Sequence, residues 1–177
     1  MSLREVLEYP DARLTKKAVP VKAVNAAVRA LLDDMVETMY ASDGIGLAAT
    51  QVGEPIRCLV VDVSCMEKDH KLYKVINPEV MGAEGSAIRE EGCLSLPEVH
   101  EEVERPEKVR ILFTNENGGQ EVLECDGMLA RAMQHEMDHL NGKLIFDHLS
   151  PLKRGLLKRK LAKAKRKKEK EQSADGE

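Results

Sequence analysis

Apolar side chains recur at helical spacing at Val28, Leu31, Leu32, Met35 and Met39. This predicts an amphipathic helix over residues 25–41 with that stripe facing a core. Asn25 stands where a cap accepts from the first turn, and Gly44 follows the end. The period then changes. Residues 56–63 and 73–77 are apolar and β-rich and read as strands, the second stopped by Pro78. Val99, Glu101 and Val103 alternate with their neighbours, and residues 108–114 are again β-rich. Asn117-Gly118-Gly119 turns that run into residues 120–125, forming a hairpin. Helical spacing returns over residues 126–141, where Gly142 is placed to end it. Ser150-Pro151 opens a last helix, because Ser caps well and Pro fits a first turn. No repeat interrupts this order of helix, strands, helix and tail, which predicts an α+β fold on antiparallel sheet.

Composition adds limits. With 177 residues, 42% of them hydrophobic, the chain suits one domain with a sizeable core. Aromatics are only 3% with no Trp, so aliphatic side chains and Met must do the packing. Apolar runs such as residues 58–61 fall far short of the ~20 residues that span a bilayer. The start, Met-Ser-Leu-Arg-Glu, carries charge at once and lacks an apolar signal segment. The expectation is a soluble cytoplasmic protein with no membrane partner. Cys58, Cys65, Cys93 and Cys125 lie far apart, which argues against a disulfide framework and leaves room for a thiolate ligand. Cys58 reads as core, and Cys65 and Cys125 as structural.

Charge is segregated. Residues 153–170 hold 11 Lys or Arg and one Glu, a local charge of +10, whereas residues 1–152 sum to −11. An acidic body thus carries a basic tail.

The strongest chemical signal is His135-Glu136-Met137-Asp138-His139. Two His at i and i+4 share a helical face, so both imidazoles can reach one cation. The Glu between them can take a proton from a bound water. The third ligand separates hydrolase classes. A metzincin pattern needs His at position 145, which is Ile; a thermolysin-like Glu downstream is replaced by Lys and Arg. His148 is a conceivable ligand, although it reads better as a polar residue after the helix. Cys93, in Glu91-Gly92-Cys93-Leu94-Ser95, remains, and a thiolate with two imidazoles leaves a fourth position open. Such a donor set by itself suggests zinc.

Three segments together resemble the peptide deformylase family. They are Gly44-Ile45-Gly46-Leu47-Ala48-Ala49-Thr50-Gln51, Glu91-Gly92-Cys93-Leu94-Ser95 and Gln134-His135-Glu136-Met137-Asp138-His139. The resemblance extends over residues 3–155. It implies antiparallel sheets packed around a central helix that bears both His, with a C-terminal helix. It implies Cys93, His135 and His139 as metal ligands and Glu136 as general base and acid. The metal implied is Fe²⁺, with Zn²⁺, Ni²⁺ or Co²⁺ able to occupy the site. Gln51 and the Leu94 N–H would hold the formyl oxygen, and the loop at Ile45 and Gly46 would pair with an extended peptide. The substrate would be the N-formylated nascent peptide, deformylated by residues 1–150; residues 151–177 would form a helix with a frayed basic end. Since that substrate emerges from the ribosome, the tail would dock near the exit tunnel.

Two positions are less defined. Glu91 and Arg105 resemble a pair that steadies the cysteine loop; two independent surface charges are the alternative. Arg131 lies one turn before His135, where many relatives carry an apolar residue near the side-chain pocket. It is a candidate substrate-binding residue, although an arginine whose stem packs and whose head reaches solvent is the preferred reading. Rival functions are a metallopeptidase on the same helix and a structural metal module whose tail binds RNA.

Overall fold

The structure is a computed structural model that describes residues 2–69 and 71–174. In chain order these form α1 (Ala26–Ala41), β1 (Gly46–Ala48), β2 (Cys58–Val61), β3 (Tyr73–Glu84), β4 (Ala87–Cys93), β5 (Leu96–Arg105), β6 (Lys108–Thr114), β7 (Gln120–Cys125), α2 (Gly127–Leu140) and α3 (Pro151–Ala174). Five strands pair antiparallel in the order β1-β2-β3-β6-β7, while β4 and β5 form a separate antiparallel pair. The fold is α+β, as the element order implied.

β2 shows how the layers meet. Successive strand residues face opposite sides. Cys58 and Val60 pack with Leu31, Leu32, Met35 and Met39 of α1, whereas Leu59 and Val61 pack with Leu129, Met133 and Met137 of α2. At β2 the sheet is therefore covered on both faces, which explains why that strand is apolar throughout. In α1 the five stripe residues are all buried, and Asn25 Oδ1 accepts the Val28 N–H at 3.0 Å. The left-handed residue after α1 is Asp43 (φ 53°) rather than Gly44. Gly44 has a different reason to be small: a Cβ there would stand 3.0 Å from Leu94 Cδ1.

Pro78 does not stop its strand. β3 runs on to Glu84, and its register with β6 shifts between Ile76 and Glu79, so Asn77 and Pro78 sit in an irregularity. A proline in a bulge removes no ladder bond. Asn77, at φ 51°, accepts the Val21 N–H and donates to the Val21 carbonyl, each at 2.8 Å. The strand expected over residues 56–63 contracts to β2, with Ile56 in an isolated bridge to Val19.

At the C-terminus, Ser150 Oγ accepts the Lys153 N–H and α3 begins at Pro151. Leu157 and Leu161 pack into a cluster with Leu14 and Phe146, but Leu152 and Leu156 are 77% and 55% exposed. Five positions turn a helix by about 140°, so the pair 152/156 cannot share the docked face of 157/161. No described helix is long and apolar enough to cross a membrane.

Candidate metal centre

Cys93 ends β4 at the turn into β5, and His135 and His139 lie on one face of α2. Their ligand atoms all fall within 4.8 Å of one another. His139 Nε2 is 3.3 Å from Cys93 Sγ and 3.2 Å from His135 Nε2. Bonds of ~2.0–2.3 Å at a tetrahedral angle require donors about 3.3–3.7 Å apart, and the two separations from His139 are close to that, as sharing of one small divalent cation requires. His148 is directed elsewhere: its Nε2 lies 2.7 Å from Asp138 Oδ2.

A buried charge network backs the ligands. Arg105 grips Glu91 with Nε at 2.6 Å and Nη2 at 3.0 Å, and reaches Asp138 with Nη1 at 2.8 Å. The pair is thus a buried clamp and not two surface charges. Glu91 Oε2 also faces His135 Nδ1 at 3.0 Å, which fixes that ring. Burial would raise the Glu91 carboxyl, but hydrogen bonds from His135 and Arg105 outweigh it and hold it well below the usual carboxylate range. Arg131 does not reach solvent, contrary to expectation. It is 6% exposed, with Nη1 donating to Glu91 Oε1 at 2.5 Å and the Val103 carbonyl at 3.0 Å, and Nη2 donating to the Ala87 carbonyl at 2.8 Å. Asp138 escaped the sequence reading, although its place inside the His-Glu-Met-Asp-His motif was a signal.

Glu136 is buried, and its Oε2 has no hydrogen-bond partner among the described residues. Burial pushes its carboxyl up to about 7. Gln51, 1% exposed, is fixed at its oxygen by the Ala48 N–H at 2.8 Å. Its Nε2 donates to Ser95 Oγ at 3.2 Å and lies 3.8 Å from Cys93 Sγ. Ser95, fully buried, is a second residue the sequence reading passed over. A cavity of about 420 Å³ reaches Cys93, His135 and Glu136; Ile45, Gly46, Leu94 and Arg131 also line it. It lies beside β1 and β4, each paired on one side only among the described residues.

An α+β frame with a His-Glu-x-x-His helix and a cysteine closing a three-donor site defines the class: a hydrolase with a candidate metal centre. The polypeptide deformylase family model matches residues 3–155, and the chain belongs to that family. Peptide deformylase 1 of Burkholderia multivorans is 49% identical over 167 residues, covering 94% of this chain and 91% of that one. The crystal structure of a peptide deformylase from Legionella pneumophila is similar with a TM-score of 0.86 at 41% identity, covering 94% and 98% of the two chains. That of peptide deformylase from Ehrlichia chaffeensis in complex with actinonin gives 0.89 at 37% identity, covering 94% and 99%.

Proposed function

We propose that this enzyme removes the formyl group from N-terminal formyl-methionine of nascent polypeptides by metal-dependent hydrolysis, releasing formate, in the cytoplasm. The observation that carries the reading is the grouping of Cys93 Sγ with the His135 and His139 nitrogens beneath a cavity where Glu136 keeps an unpartnered oxygen. Cys93, His135 and His139 would hold one divalent metal, Fe²⁺ foremost, with Zn²⁺, Ni²⁺ or Co²⁺ able to replace it. When bound, that metal supplies Lewis acidity, which lowers the pKa of water and polarises a carbonyl.

The side chains do the rest. Glu136 accepts a proton from the attacking water and delivers it to the leaving amine. Gln51 Nε2 and the Leu94 N–H donate to the formyl oxygen as charge develops on it, each such donor being worth roughly 100- to 1,000-fold in rate. The Gln51 amide is held for this by Ala48 and Ser95. The peptide lies extended between β1 and β4, pairing with backbone at Ile45 and Gly46. Its first side chain enters the cavity walled by Met128, Ala132 and Arg131. Residues 1–150 form the catalytic unit, and α3 an appended basic helix, unbroken to Ala174 rather than frayed, that draws the enzyme to the ribosome near the exit tunnel; the last three residues of the expected tail lie outside the described residues.

The test is formate release from formyl-Met-Ala by anaerobically purified protein, with metal analysis of the same sample. About one Fe²⁺ per chain and formate in step with the free amine are expected. Protein fully loaded with Fe²⁺ that releases no formate, or that cleaves unformylated peptides equally well, overturns the reading.

A further inference from the structure

The metal ligands arrive on two separately built parts: Cys93 on the β4–β5 pair, the histidines on α2. Packing does little to join them, because α2 lies mainly against β1, β2 and β6. Polar side chains bridge the gap. Arg105 of β5 reaches across to Asp138 of α2, and Arg131 of α2 reaches back to Glu91 and Ala87 of β4 and Val103 of β5. The two arginines cross, and both converge on Glu91, whose second oxygen faces His135 Nδ1. Buried Glu91 and the largely buried Asp138 face buried Arg105 and Arg131, so the charges balance. Removing one partner from such a set leaves an uncompensated buried charge.

We propose that Arg131 is a positioning residue: it fixes His135 through Glu91 and clamps the cysteine-bearing strands to the histidine-bearing helix. This rests on the metal-site reading above. Although Arg131 lines the cavity, its Nη1 and Nη2 donors are engaged with the network. A planar guanidinium serves three acceptors spread over two strands from two separate nitrogens, whereas an ammonium brings its three donors to a single point.

Arg131→Met and Arg131→Lys test it, with folding checked by circular dichroism and thermal melting. The first readout is release of Co²⁺ to excess chelator, followed by loss of the cobalt–thiolate absorption. Both variants should hold Co²⁺ about 10- to 100-fold more weakly than wild type, as for other residues that orient a metal-ligating histidine. At saturating metal, kcat on formyl-Met-Ala should fall with KM nearly unchanged. Combined with Glu91→Gln, the losses should not add, since both act through one network. If the Met variant does not fold, the Lys variant carries the comparison. Wild-type Co²⁺ retention in the Lys variant, additive losses, or a change confined to KM and side-chain preference overturns the proposal. Formate release by the wild type, measured alongside, separates that result from failure of the deformylase reading.

Discussion

Gly46 and Glu136 share one space: a Cβ on Gly46 would stand 2.5 Å from Glu136 Oε1 and 2.9 Å from its Cδ. The glycine loop thus does more than admit a peptide; it leaves room for the carboxylate. Gly46→Ala should push Glu136 aside while the metal donors stay in place. Misplacing a catalytic group by about 1 Å can cost ~100-fold, and a kcat loss of that order with unchanged metal content is expected. Steady-state kinetics with metal analysis checks it; a wild-type kcat would show that Glu136 can shift harmlessly.

Glu136→Ala should keep metal and lose activity, because Cys93, His135 and His139 survive and the proton carrier does not. General acid–base catalysis contributes typically ~100- to 10,000-fold, which sets the expected fall in kcat/KM. Turnover at the wild-type rate would remove Glu136 from the mechanism.

Burial pushes the thiols of Cys58 and Cys125 up to about 12, so both are neutral near pH 8 and unreactive, the thiolate being the nucleophile. Cys65 is exposed and Cys93 half-buried. Alkylation of the metal-loaded protein should therefore mark Cys65 first, Cys93 once metal is chelated, and the other two only in denaturant. Peptide mapping by mass spectrometry reads the order. Cys93 modified as fast with metal as without it would argue against its being a ligand.

Truncation can separate the tail from the body. Removing residues 162–177 spares Leu157 and Leu161, which pack against the body. Hydrolysis of a small formyl peptide should stay nearly intact, while co-sedimentation with ribosomes at low salt should weaken greatly, as counterion release by a basic segment implies. Equal co-sedimentation of both forms would make the tail a solubilising end.

Much of this was legible beforehand where local rules suffice. The stripe and cap of α1, the hairpin at Gly118 and the Ser150 cap each depend on residues within one turn of each other. β4 was not legible, because Ala87–Cys93 carries a single large apolar residue, Ile88, which is 63% exposed. Its strand is held by pairing with β5 and by buried charge, neither of which leaves an apolar period. The partner of Arg131 was equally hidden: Glu91 lies 40 residues away in sequence and meets it only once β4 is folded beside α2. The motif named the three donors; it was silent on what keeps them together.

Beyond Ala162 the described side chains of α3 are all exposed, and residues 162–174 would extend about 20 Å as helix. Positive charge on this basic arm and negative charge on the body make the molecule an electric dipole whose overall charge is only −4. A phosphate-rich surface therefore exerts a torque on it before any net pull, repelling the body while drawing in the arm. The enzyme would turn arm-first, and only within about a Debye length, ~8 Å at physiological salt, so its orientation at first touch is set by ionic strength.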